Sequence, residues 1–144
     1  MATFTFFDEF GLNLGKKLID LSADTFKLAL TNTAPTADTD DELADVTQIS
    51  GTNGYTTGGT ALTGVTWAET GAGTGIWQFT SADVTFTASG GDIATHRYAV
   101  LYSDTSTNDK LVGYVDRGAS AVVTNGNSRT WDVGASGWFT LTVP

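Results

Sequence analysis

Phe7, Phe10, Leu14, Leu18 and Leu21 recur at steps of three and four, which stacks them on one face of a helix. The spacing predicts a helix over about residues 8–21. Gly11 and Gly15 weaken it, each costing about 1 kcal/mol against alanine in a helix interior. Such a helix needs its apolar stripe docked on something. Ser22 and Asp24 end it.

Downstream the period falls from 3.6 to 2. Phe26, Leu28 and Leu30 alternate with Lys27, Ala29 and Thr31, the pattern of a strand. Pro35 and the acidic run to Asp41 mark a loop, and Leu43 to Ile49 reads as a short extended piece. A glycine-rich crossing, Gly51 to Gly59, follows. Val65 and Trp67 open a strand that breaks at Gly71-Ala72-Gly73, and Ile76 to Thr80 forms the next. Val84, Phe86 and Ala88 then alternate with polar neighbours up to the turn Ser89-Gly90-Gly91-Asp92. His96 to Tyr102 and Leu111 to Val115 are apolar on both faces, as in central strands covered on both sides. Ala119 to Val123 and Ser128 to Val133 flank Asn125-Gly126-Asn127, a hairpin signal, because Asn-Gly tolerates the positive φ angles of a tight primed turn. Trp138 to Val143 closes the chain with Phe139, Leu141 and Val143 on one face.

Eight or nine short strands at this spacing predict an all-β fold, an antiparallel β-sandwich or jelly roll with one short N-terminal helix. Abundant threonine and glycine agree, since threonine suits a pleated surface and glycine supplies turns. A length of 144 residues fits one domain. The expected division is an N-terminal arm, residues 1–7, and one sandwich domain, residues 8–144, with no internal repeat.

Sixteen acidic against seven basic residues give a formal net charge of −9. Phosphate backbones and anionic lipid surfaces are recognised by lysine and arginine. The densest basic pair is Lys16-Lys17, so neither nucleic acid nor membrane is an expected partner. The absence of cysteine excludes disulfides and thiolate metal sites. The N-terminus has no basic start and apolar core of a signal peptide, and no apolar run approaches the ~20 residues that span a bilayer. Synthesis in a cytoplasm, without export by a signal of its own, is the expectation.

Candidate chemistry is sparse. His96 is the only imidazole; it lies mid-strand beside Arg97, no Gly-x-Ser-x-Gly nucleophile turn occurs, and it reads as a strand-face or interface residue. Asp38, Asp40, Asp41 and Glu42 form the densest acidic cluster. Hard cations take several flexible oxygen ligands, so these four are candidate ligands, although the cluster lacks the glycine and distal glutamate of an EF-hand loop. A solvated acidic loop is the simpler reading. Trp67, Trp77, Trp131 and Trp138 fall in strands, where they serve a core or, if gathered on one face, a sugar-binding platform. The crossing Gly51 to Gly59 is no phosphate loop, having no Gly-Lys-Ser/Thr and no following helix. No carboxylate pair stands out for glycoside hydrolysis. No enzyme activity, cofactor or metal is expected.

Four segments, taken in order, resemble a family of small virion proteins of tailed bacteriophages. They are Leu21-Ser22-Ala23-Asp24-Thr25-Phe26-Lys27-Leu28-Ala29-Leu30-Thr31-Asn32-Thr33-Ala34-Pro35, Gly54-Tyr55-Thr56-Thr57-Gly58-Gly59, Thr87-Ala88-Ser89-Gly90-Gly91-Asp92-Ile93 and Arg97-Tyr98-Ala99-Val100-Leu101-Tyr102-Ser103-Asp104. The resemblance covers the chain from about residue 7 onward and implies a structural role on the particle. Head decoration (cement) comes first, as a homotrimer clamping the major capsid protein at the capsid surface after assembly in the bacterial cytoplasm. A tail or fibre-base component, or a carbohydrate- or receptor-binding module on the virion, is the alternative. It supplies no catalytic residues. An aromatic arm exposed on a lone monomer would be an aggregation liability, so Phe4, Phe6 and Phe7, with Phe10 behind them, are the expected partner contacts.

Overall fold

In the computed structural model, which describes residues 3–144, the alternating segments pair into an all-β, antiparallel sandwich with one short helix. The strands are β1 (Phe4–Phe6), β2 (Phe26–Thr31), β3 (Thr60–Ala61), β4 (Thr66–Glu69), β5 (Ile76–Thr80), β6 (Val84–Thr87), β7 (Ile93–Ser103), β8 (Leu111–Val123), β9 (Ser128–Trp131) and β10 (Phe139–Thr142). The helix α1 (Glu9–Gly15) follows β1, and a single 3₁₀ turn spans Leu43–Asp45. A five-stranded sheet runs in the order β1-β8-β7-β2-β3. A three-stranded sheet, β10-β5-β4, and a two-stranded ribbon, β6-β9, complete the described strands.

The main core gathers Phe26, Leu28 and Leu30 of β2 with Leu101, Val112, Phe79, Phe86, Trp131 and Trp138. Residues two apart on a strand share a face, which is why the alternation in β2 was readable. Two of the odd positions of β2, Ala29 and Thr31, are buried too: Ala29 joins Phe7, Val100, Tyr102 and Leu111 in a second cluster on the other face, roofed by Leu43 and Val46. The segment after the acidic run therefore covers the back of the sheet, and β2 from Leu28 and β7 from Tyr98 onward are buried on both sides.

The glycine-rich crossing is held by two tyrosines, Tyr102 donating from its hydroxyl to Gly58 C=O. Tyr55 is buried, donates from its hydroxyl to Gln48 Oε1 at 2.6 Å and accepts from the Leu30 backbone N–H at 3.0 Å. Burial pushes its pKa up to about 12. Tyr55→Phe strips Leu30 N–H of this acceptor in a dry place. An unmet buried group costs about 1–3 kcal/mol, and urea unfolding should show a loss of that size with an unchanged slope.

Three sequence expectations are corrected. The helix ends at Gly15 instead of reaching residue 21. Lys17 takes a left-handed φ of 61°, Leu18 N–H bonds Asn13 C=O, and Lys17 N–H bonds Leu14 C=O, a Schellman stop built on a lysine instead of the usual glycine. Leu18 is left exposed. Residues 3–7 do not form an arm outside the sandwich. Residues 1 and 2 lie outside the described residues, but Phe4–Phe6 pairs with Val115, Tyr114 and Gly113 as an edge strand, and Phe7 is a core residue.

The hairpin between Ala119–Val123 and Ser128–Val133 is also absent. Both expected strands before the turn merge into β8, which stays with β7, while β9 pairs with β6. Asn127 N–H bonds Thr124 C=O, but of the two central residues Gly126 alone has positive φ. Both primed turns need positive φ at the first central residue, here Asn125, which lacks it, and the unprimed kind splays its flanking strands. The turn is real and the pairing is not.

Candidate functional site

The first and last strands meet at an open end of the sandwich. Phe4 stacks on Phe139 at 5.5 Å, Phe6 meets Phe139 edge-on at 4.9 Å and stacks on Phe10 of α1 at 5.4 Å. Phe139 in turn stacks on Phe79 at 5.2 Å. On the three-stranded sheet, Trp67 and Phe139 flank Phe79 in register, and Leu141 sits opposite Trp77 one row further out. Trp67 and Trp77 stack at 6.0 Å.

The inner row is buried by the five-stranded sheet and the outer row runs past it. Between α1, β1, β4 and β10 this leaves an apolar groove of about 430 Å³, lined chiefly by Phe6, Phe10, Leu14, Trp67, Phe139 and Leu141. Phe6 is 40% exposed and Leu141 49%, and Trp77 and Val143 extend the apolar surface outward. Single exposed apolar residues are ordinary, but a contiguous patch marks a contact surface. Asp8 is the one ionisable group in the lining. Glu69 beside Trp77 is tied into its own loop, accepting from the N–H groups of Gly75 and Gly73. The groove is suited to apolar recognition.

Of the four expected contact residues, Phe6 is exposed, Phe4 is half-buried, Phe10 is largely buried but lines the groove, and Phe7 is withdrawn into the back cluster against Tyr114. Phe7 borders the groove, but its ring lies on the opposite side from Phe6 because successive residues of an extended chain point to opposite faces. Trp77 and Leu141 were not foreseen as surface residues. Their alternation marked a face, and nothing in one sequence says how far a sheet overshoots its neighbour.

The acidic cluster is dispersed among structural tasks. Asp38 is exposed, and Asp40 accepts from the Thr36 N–H. Asp41 and Glu42 share the ammonium of Lys110, with Glu42 Oε1 at 2.9 Å, and Asp41 also accepts from Asn13 at 2.6 Å. These contacts raise the Lys110 pKa, Asp41 contributing most. Asp45, outside the expected four, accepts from the N–H groups of Asp41 and Glu42, which lower its pKa. Among the described residues no three carboxylate or imidazole groups converge to hold a metal ion.

His96 is fully buried, with Nδ1 2.8 Å from Ala94 C=O. Burial lowers its pKa, and Arg129 and Arg117 add to that effect. Trp131 and Trp138 are core residues, so a sugar platform is confined to Trp67 and Trp77. Among the described residues no helix is long and apolar enough to cross a membrane. No family model, curated protein or solved structure matches the chain.

Proposed function

We propose that this chain is a non-catalytic structural protein of a tailed-bacteriophage particle, a head-decoration (cement) protein whose aromatic groove seats an apolar segment of the major capsid protein. The observation that carries the reading is the exposed row Phe6, Trp77 and Leu141, continuous with buried aromatic rings that hold it rigid. The resemblance of four ordered segments to small virion proteins supplies the particle. Self-association as a homotrimer, which the resemblance implies, would use other surface. Several weak contacts made at once multiply through effective concentration.

The test is binding to purified shells. Removing residues 1–7 would take away β1 and a core phenylalanine, so point substitutions are needed. Leu141→Ser, alone and with Phe6→Ser, should weaken shell binding by about 30-fold or more, the size expected for losing a central anchor. Circular dichroism should be unchanged. Undiminished binding by a folded double variant overturns the groove as the contact. Copies on the shell in multiples of sixty identify decoration, and threefold or sixfold copies along one axis identify the tail or fibre-base alternative.

A carbohydrate-binding reading has one observation in its favour, the stacked and partly exposed pair Trp67 and Trp77. A glycan array in which Trp77→Ala removes a specific signal would favour it over shell docking.

A further inference from the structure

Away from the groove, the β7-β8 pair and the β6-β9 ribbon bring together four donor-bearing side chains. Arg117 of β8 lies with its guanidinium carbon 4.2 Å over the Trp131 ring and donates to the Thr130 carbonyl. Arg129 precedes Trp131 by two residues on β9, on the same face of the ribbon. The Trp131 ring lies 6.5 Å from that of His96. Three buried atoms of this group, His96 Nε2, Arg129 Nη1 and Trp131 Nε1, have no hydrogen-bond partner within the protein. Buried polar groups are nearly always satisfied, and one site with three exceptions calls for a cause.

Charge sharpens the point. Acids outnumber bases sixteen to seven, yet neither Arg117 nor Arg129 pairs with a carboxylate among the described residues. The acids on and beside these strands are engaged elsewhere. Asp116 forks onto Arg97, Asp83 accepts from Val133 N–H, Asp92 from Asn125 N–H and Asp132 from Gly134 N–H. Two neighbouring guanidiniums repel; Arg117 is met by the Thr130 carbonyl, whereas Arg129 Nη1 is positioned to donate to an acceptor the protein does not supply. Both are only half-buried, which leaves a route from solvent.

We propose that Arg117, Arg129, His96 and Trp131 form a binding site for one small oxyanion of the sulfate or phosphate class. Arginine forks match such an ion's oxygens, and the indole N–H and the imidazole complete the donor set. Nδ1 of His96 faces a carbonyl and so carries a proton. Nε2 is then a lone pair in the neutral ring and a donor only in the cation. An anion at Nε2 therefore favours the protonated ring, reversing the lowering imposed by burial and by Arg129 and Arg117, the charged groups bearing on it from β9 and β8. The β6 residues on that face of the ribbon, Val84 and Phe86, are apolar. Bound anion raises the folded-state His96 pKa, so affinity rises as pH falls through the raised value.

One histidine in the chain makes the experiment direct. Imidazole carbon-bound proton resonances of the full-length protein are followed by NMR from pH 8 to pH 5 in sodium sulfate and in sodium chloride at equal ionic strength. Sulfate stays divalent over this range, so any pH dependence comes from the protein. The expectation is a saturable shift in sulfate only, with affinity rising from pH 8 to pH 5 by up to about tenfold, the limit set by a one-unit rise in the His96 pKa. Arg129→Gln should abolish the saturable shift, and Arg129→Lys should recover part of it. Identical titrations in the two salts in the unsubstituted protein would falsify the proposal, whether or not the variants fold. A saturable shift that survives in folded Arg129→Gln overturns it as well. Thermal stabilisation alone is no readout, because sulfate is excluded from protein surfaces and stabilises folded states generally.

Discussion

Phe79→Ala should lower the unfolding free energy by about 3–5 kcal/mol, the range for truncating a buried phenylalanine. Phe79 is fully buried. It meets Phe26 of the facing sheet edge-on at 4.9 Å and Phe139 of its own sheet in a stack at 5.2 Å, and it is paired on either side with Trp67 and Phe139. One ring thus joins the three-stranded sheet to the five-stranded one. Its neighbours lie on strands with fixed hydrogen bonds, so the cavity has little room to collapse, which places the cost towards the upper end. Aromatic pairs add about 0.5–1.5 kcal/mol each beyond area. Equilibrium urea unfolding measures it. A loss under about 1 kcal/mol would mean that the three-stranded sheet is not anchored through this ring. Phe79→Leu keeps most of the volume and should cost far less.

Gly59→Ala should be nearly as damaging although it adds one methyl group. Gly59 has φ of 80°, and a Cβ there would lie 1.9 Å from Leu28 O and 2.8 Å from Ala29 Cα. Those atoms belong to β2 at the centre of the core, where Leu28 pairs with Thr60. A left-handed conformation costs a residue with Cβ about 1–2 kcal/mol, and forcing packed backbone apart adds about 1–3 kcal/mol. Gly118→Ala separates the two effects. Gly118 has φ of 85° with open space around it, so only the conformational part should appear. Equal losses at the two glycines, read from the same unfolding curves, would show that the approach to β2 is not close.

The strands were legible where alternation was clean. Phe26–Thr31, Ile76–Thr80 and Val84–Thr87 stand close to where the pattern put them, because one face of each meets the core. The merger of Leu111–Val115 with Ala119–Val123 was hidden by the polar stretch between them. Asp116, Arg117 and Gly118 resemble a turn, yet Asp116 remains paired with Tyr98 in the sheet. The false hairpin depended on the sign of one angle at Asn125, which a dipeptide signal leaves open. At the groove, Phe4, Phe6 and Phe10 were legible as apolar residues without an obvious place in the sandwich. Trp77 and Leu141 were not, since overshoot of one sheet past another is a property of register and length together. The arginine cluster left no local signal, because Arg117 and Arg129 meet only after β8 and β9 have taken different partners.

The groove has a further property in time. One wall comes from Phe6, Phe10 and Leu14 and the other from Phe139 and Leu141, near opposite ends of the chain. A ribosome adds about 5–20 residues per second, so the residues of the first wall emerge several seconds before those of the second. During that interval the incomplete chain carries Phe6 without Phe139 to lean on and offers no finished seat to a partner. A nascent or truncated chain therefore lacks the two-walled groove altogether.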